Sequence, residues 1–424
     1  MPWLFLVASV VGALFTLNAY RPSSRWQLIG VSFFAAWFTG ELALWHVLWQ
    51  AVATAAFVAL GALDAWPGWV GLAITVASWA GLLWIGVTAR RSALVLADAL
   101  AADDALERVA PRRVQLRRIV LPFYLHDHRV ERVKDLRYGP YGRRNLLDVY
   151  RPKGEPVRGA PVLLQIHGGG WVIGDKSQQG LPLMLELAAD GWVCVAINYR
   201  LSPRSTWPDH LVDCKRALAW VREHIAEYGG DPDLVCVTGG SAGGHLAAMV
   251  ALTANDPGYQ EGFESADTSV EACIPFYGVY DFTGLFDAHL KGDRIVRTMT
   301  RWVMKRSIQE DRAAFEAASP IHHLRADAPP FFVIHGSHDN LVPVAQAREF
   351  VTGLRAVSRA PVHYAEIPGA SHAFDVFHSI RSTYAVDAVG RFLGRVVHDR
   401  EAAAAAPPRV EVTDLGPTSA VAGG

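Results

Sequence analysis

Cysteine is scarce in this 424-residue chain: Cys194, Cys214, Cys236 and Cys273 form no CxxC pair and no dense framework. That excludes a disulfide-stapled scaffold and a cysteine-cluster metal site. Three of the four lie in apolar runs, where cysteine behaves as a small buried hydrophobe, so all four are expected as free thiols. An excess of charge of one sign is also missing. The net charge is −1, and a nucleic-acid partner would need a basic face to displace counterions, so none is expected. Charge of either sign is nearly absent from the first 89 residues, which hold only Arg21, Arg25, Glu41 and Asp64. The remainder carries the mixed charge of a water-soluble domain, so the two ends suit different solvents. The length, too, exceeds that of one compact domain.

Residues 3–17, 28–63 and 65–87 are long apolar stretches, and a helix needs about 20 such residues to cross a bilayer core. The middle stretch is too long for one upright span and too short for two with a turn, so its ends should tilt or extend beyond the core. Three transmembrane helices are expected within residues 1–91. Nine of the fourteen tryptophans precede residue 90, with Trp3, Trp26, Trp66 and Trp84 near span ends, where an amphipathic ring favours the headgroup layer. A cleaved signal peptide is the rival reading of residues 3–20, but no Lys or Arg precedes the apolar run. Arg21 and Arg25 lie between the first two stretches, and Arg90 and Arg91 follow the third. With three spans, the positive-inside bias places everything after residue 91 on the cytoplasmic side of the cell membrane. Glu41, with His46 five residues on, reads as a helix–helix hydrogen bond or as part of a polar substrate path. Residues 92–135 form a linker that turns basic after Pro111, with Arg112, Arg113, Arg117 and Arg118 set among Val114, Leu116, Ile119 and Leu121. Such a segment either lies on anionic membrane lipid or packs on the domain that follows. Residues 401–424 lack apolar periodicity and are expected to be disordered.

Within residues 136–400 short apolar runs alternate with longer amphipathic ones, which predicts an α/β domain with a mostly parallel sheet and flanking helices. Strands are expected at 146–150, 161–166, 192–198, 234–238, 271–276, 331–335 and 362–367. Leu211, Cys214, Leu218, Val221 and Ile225 make a helical stripe within 209–227. Functional groups in such folds sit at the carboxyl ends of strands.

The motifs fall there. Residues 234–247 read as an apolar strand, then Gly239-Gly240-Ser241-Ala242-Gly243, then a helix. This is G-x-S-x-G in a strand–turn–helix context, where the sharp turn exposes a serine and the helix dipole favours an oxyanion. A second strand ends in His167-Gly168-Gly169-Gly170-Trp171. Glycines there let backbone N–H groups approach a developing oxyanion, and the expected donors are Gly168, Gly169 and Ala242. A phosphate loop would need Lys-Ser/Thr after the glycines, and Trp171-Val172 follows instead. Asp339 and His372 each follow a later strand, so the chain order is Ser241, Asp339, His372. His372 would take and return the serine proton, and Asp339 would fix its tautomer. Asp375 and Glu366 are weaker candidate acids. His335, His338, His322 and His323 are expected to be structural, because no second cluster of ligands accompanies them; no metal or cofactor is expected.

With HGGGW, GGSAGG, the DNLVP loop and SHAF in place, residues 140–397 resemble the hormone-sensitive-lipase-like branch of α/β-hydrolase esterases. With the apolar amino end included, the chain is similar to membrane-anchored Lip-type carboxylesterases of actinobacteria, and it also resembles prenylcysteine methylesterases. The resemblance implies a serine carboxylesterase acting on a small-molecule or lipid ester. A methylesterase, a formamidase-like amidase and a non-catalytic binding module on the same fold remain as alternatives. Residue 240 is Gly where many relatives carry Asp. A helical insertion at 282–318 is expected to line the acyl pocket through Phe282, Leu285, Phe286, Trp302 and Met304, with Trp171 and Trp207. The oligomeric state is not legible.

Overall fold

The computed structural model of the chain describes residues 1–25, 27–101, 114–154, 158–283 and 300–405. Trp26, Arg112, Arg113, Leu285, Phe286 and the tail beyond residue 405 lie outside the described residues. Helices α1 (Pro2–Tyr20), α2 (Ile29–Glu41), α3 (Ala43–Ala59), α4 (Trp66–Arg90), α5 (Ser92–Ala101) and α6 (Leu116–Val120) precede the sheet. Eight strands follow: β1 (Val130–Arg137), β2 (Leu146–Pro152), β3 (Ala160–Ile166), β4 (Val193–Ile197), β5 (Gly230–Gly240), β6 (Ala272–Phe276), β7 (Phe331–Gly336) and β8 (Val362–Ile367). Between and after them run α7 (Leu181–Ala189), α8 (Asp209–His224), α9 (Ala242–Leu252), α10 (Arg312–Ala317), α11 (Val344–Val357) and α12 (Ile380–Ala405).

The strands form one sheet in the order β1-β2-β4-β3-β5-β6-β7-β8. β2 runs antiparallel to β1 and to β4, and every pair from β4 onward is parallel. The central strands are apolar on both faces, as helix-covered strands must be. The period of two then sorts their side chains into two cores. Val162, Leu164, Val195 and Val237 pack with Leu211, Leu246 and Phe350 of α8, α9 and α11. Leu163, Cys194 and Cys236 face the other way, onto Leu100, Leu187 and Phe392 of α5, α7 and α12. All four cysteines are buried free thiols.

All seven expected strands are present, and one more is added. β1 lies in the stretch expected to be a linker, and it joins the sheet through charge: Arg132 pairs with the buried Asp148 of β2, and Arg151 with Glu131 at 2.7 Å. Its VERVKDLR sequence hides the apolar alternation by which a strand is recognised, as suits a sheet edge. α5 is likewise no free linker, since its Ala99 carbonyl meets His363 Nδ1 of β8 at 3.0 Å. At the other end, α12 carries on to Ala405, past the point at which disorder was expected.

The amino-terminal helices contain two segments long and apolar enough to cross a membrane, Pro2–Tyr20 and Trp66–Ala101. α1 and α4 are joined by small hydroxyl side chains: Thr16 Oγ1 to Ser78 Oγ at 2.8 Å and Thr75 Oγ1 donating to Ser9 Oγ at 2.9 Å. This is how apolar helices come close without a hydrophobic drive. The middle stretch is not one tilted helix. It breaks between Glu41 and Ala43, where α2 and α3 meet at 91°.

The break is held from the carboxyl-terminal half of the chain. Glu41 makes a helix–helix hydrogen bond, the simpler of its two expected readings, and its partner is in α12, far along the chain. Its carboxylate pairs with Arg381 at 3.0 Å, both side chains only 1% exposed, and it accepts from Ser379 Oγ at 2.7 Å. Arg381 also donates to the Gly40 carbonyl, at the carboxyl end of α2, at 3.1 Å and to the Pro368 carbonyl at 3.0 Å. A guanidinium stitching the last carbonyls ends a helix cleanly. Removing one partner of a buried pair strands the other charge, so Glu41→Ala should cost about 3–5 kcal/mol, whereas an apolar replacement of both partners is far milder. The expected result is a large fall in Tm of the detergent-solubilised protein for Glu41→Ala and a much smaller one for Glu41→Leu with Arg381→Met. Equal losses in the two would show that the pair does not hold α2 in place.

Candidate active site

β5 ends at Gly240, and α9 begins at Ala242, so Ser241 alone makes the turn, at φ 59° and ψ −120°. A left-handed φ is strained for a residue with a Cβ, and the surroundings must enforce it. They do so by crowding. A Cβ on Gly243 would lie 2.1 Å from the Ile166 carbonyl oxygen, and one on Gly239 2.5 Å from the Gly243 carbonyl oxygen. Ser241 N–H donates to the Phe276 carbonyl at 3.0 Å, and the Ser241 carbonyl accepts the first helical N–H, that of His245, at 2.9 Å. The serine is left half-exposed at the amino end of α9, at the carboxyl edge of the central strands.

His372 and Asp339 are brought together as the motif order predicts. His372 Nδ1 lies 2.6 Å from Asp339 Oδ2. The other oxygen, Oδ1, accepts from the Leu341 and Val342 N–H groups, each at 2.9 Å. His335, in β7, adds Nε2 at 3.2 Å from Asp339 Oδ2 and 3.1 Å from the Val342 carbonyl, which fixes that nitrogen as the donor. Burial alone would raise the Asp339 pKa, but His372 and the His335 hydrogen bond outweigh it and hold the carboxyl far below its usual range. Asp339 therefore stays an acceptor throughout the neutral range. Neither alternative acid reaches His372 by a hydrogen bond: Glu366 pairs with Arg348 at 2.7 Å, and Asp375 accepts from Tyr277 Oη. Burial raises the Asp375 pKa.

Tyr277 was not singled out in the sequence. It follows β6, its ring centre lies 4.6 Å from that of His372, and its Oη is 2.7 Å from where a Cβ on Gly240 would project. Tyr277 thus touches the base and the residue preceding Ser241, and brings the two loops to one place. It also explains why residue 240 is glycine.

The glycine loop departs from the expected donor set at one position. Gly168 is buried, and its N–H donates to Gln179 Oε1 at 2.7 Å, so that amide is already committed. The Gly169 and Gly170 amides, half-exposed, and the Ala242 amide have no hydrogen-bond acceptor among the described residues. Gln179 lies eleven residues downstream, beyond the reach of a motif read as a contiguous string.

Three of the expected pocket residues surround a buried imidazole. Trp171 donates through Nε1 to His245 Nδ1 at 3.3 Å, and Trp207 and Phe282 lie 5.4 and 4.9 Å from the same imidazole. All three are buried, and they form a closed aromatic cluster behind the elbow instead of an open lining. His245 itself donates through Nε2 to the Ala318 carbonyl at 2.7 Å, and burial lowers its pKa to about 3, so it is neutral. Met304 is buried as well, while Trp302 is 38% exposed at the surface. His323 Nε2 meets the Ala317 carbonyl at 3.0 Å, and no cluster of three or more metal-ligating side chains occurs among the described residues.

A family model described as BD-FAE matches residues 147–354, a range that includes the glycine loop, the elbow and Asp339. The probable carboxylic ester hydrolase LipM of Mycobacterium tuberculosis is 43% identical over 432 residues, covering 96% of this chain and 96% of that protein. Esterase LipQ of the same organism is 50% identical over 276 residues, 65% of each chain. Among solved structures, a thermophilic esterase from Thermogutta terrifontis with butyrate bound is 26% identical, with a TM-score of 0.52 over 62% of this chain and 93% of that one. The likeness to LipM covers the amino-terminal helices as well as the sheet, and this protein belongs to the hormone-sensitive-lipase-like, Lip-type family of carboxylic ester hydrolases.

Proposed function

We propose that the chain hydrolyses carboxylic esters through an acyl-enzyme on Ser241 while anchored in a membrane. The observation that carries the reading is the 2.6 Å contact of His372 with a buried, ionised Asp339, together with a serine held at positive φ in the elbow. His372 removes the Ser241 proton as the oxygen attacks the ester carbonyl, and Asp339 holds the imidazole in the right tautomer and stabilises the imidazolium. The negative charge then developing on the carbonyl oxygen meets the uncommitted amides of Gly169, Gly170 and Ala242 at the positive end of α9. His372 returns the proton to the leaving alcohol, and water repeats the path to release the acid.

In the membrane, α1, α3 and α4 are the crossing segments. The turn at residues 60–65 and Trp3 with Trp66, whose rings lie 5.4 Å apart, sit at the far surface. Arg21, Arg25, Arg90 and Arg91 lie on the side of the catalytic domain, which the positive-inside bias makes the cytoplasm.

The detergent-purified protein should hydrolyse a p-nitrophenyl ester series from C2 to C16. Ser241→Ala should abolish both that activity and labelling by a fluorophosphonate probe; turnover that survives the substitution would refute the acyl-enzyme. Asp339→Asn should retain the fold, by an unchanged Tm, and lower kcat by about 10³–10⁴-fold, the scale for an imidazole left in the wrong tautomer. Reporter fusions at residue 63 and after residue 91 should read out on opposite sides, the second in the cytoplasm; a periplasmic signal after residue 91 would reverse the topology.

A further inference from the structure

α2 places an aromatic face against the catalytic base. Phe33 meets the His372 imidazole edge-on at 6.1 Å, stacks on Trp37 at 5.5 Å and touches Phe34 at 4.9 Å. Trp37 lies 5.3 Å from Phe377, on the loop that follows His372. Phe33, Trp37 and Glu41 recur at intervals of four and share one helix face. The face that meets His372 is therefore the one that ends in the buried pair with Arg381.

Both ends of α2 are fixed. Ser32 Oγ donates to Asn18 Oδ1 at 2.6 Å near its start, and Glu41 is locked at its end. The loop of Asp339 is tied to the same region: Asn340 Nδ2 donates to the Ser23 carbonyl at 2.9 Å, and His338 Nδ1 lies 3.4 Å from the Ala19 carbonyl. Trp171, Trp207 and Phe282 are packed around His245, whereas α2 offers apolar surface beside His372. Phe34 is 54% exposed, and the Trp37 Nε1 donor is buried without an acceptor among the described residues.

We propose that α2 is the acyl-side wall of the active site, with Phe33, Phe34 and Trp37 setting which ester is accepted. The ester is lipid-soluble, and it reaches Ser241 from the bilayer along α2. The inference rests on the serine-esterase reading and adds to it the residues that select the substrate. An aromatic ring against the reacting centre limits the volume left for an acyl chain, so its size should set chain-length preference.

The test measures kcat/KM for p-nitrophenyl esters from C2 to C16 with the full-length protein in detergent and in lipid vesicles. The variants are Phe33→Ala, Phe33→Trp, Trp37→Ala and Ser241→Ala. Phe33→Ala should move the optimum to longer chains and Phe33→Trp to shorter ones, each changing the C4-to-C12 ratio of kcat/KM by about tenfold. Opposite shifts from one position cannot come from partial unfolding, which lowers all esters together, and fluorophosphonate labelling of Ser241 counts intact sites. An unchanged chain-length profile in labelled Phe33 and Trp37 variants would overturn the wall while leaving the serine mechanism standing. Hydrolysis that persists in Ser241→Ala would overturn the mechanism and the wall with it.

Discussion

One fully buried carboxylate organises much of this molecule. Asp339 has no water to solvate it, so its two oxygens must be satisfied by protein donors. It draws in two loop amides, a strand histidine and His372. Each donor fixes a different piece of structure: the amides close the loop after β7, His335 ties that loop to its own strand, and His372 brings in the loop after β8. Asp339 lies between His338 and Asn340, which meet the carboxyl end of α1 and the segment after it. The geometry that orients the imidazole is thus the geometry on which the amino-terminal helices rest.

That shared footing is more than a tether would need. A tether needs length and apolar surface and is indifferent to the site it carries. Here the first 90 residues place carbonyl acceptors, a carboxylate and an aromatic ring against the two loops that bear the acid and the base. The carboxyl-terminal half in turn meets the apolar half at the end of α2, where Arg381 takes the Gly40 carbonyl and the Glu41 carboxylate.

Much of this was legible in the sequence, for reasons that can be named. The elbow could be read because backbone contacts at 2.1 and 2.5 Å forbid side chains at Gly243 and Gly239, and such constraints are local and leave a fixed spelling. The seven core strands were visible because burial on both faces demands continuous apolar runs. What escaped depends on partners distant in sequence. β1 is held by ion pairs, so its polarity disguised it. The Gly168 amide lost its expected role to Gln179, and Trp171, Trp207 and Phe282 lost theirs to His245; hydrophobicity marks a residue as buried without saying against what. The break at Leu42 was hidden for the same reason, since Arg381 stands 340 positions beyond Glu41.

That separation bears on how the protein is made. A chain emerges from its amino end, and domains tend to fold in that order. Glu41 leaves the ribosome well before Ser379 and Arg381 exist, so its carboxylate starts its life with no protein counter-charge. The ion pair that closes the end of α2 therefore forms only after Arg381 of α12 has been made, when most of the chain has been synthesised.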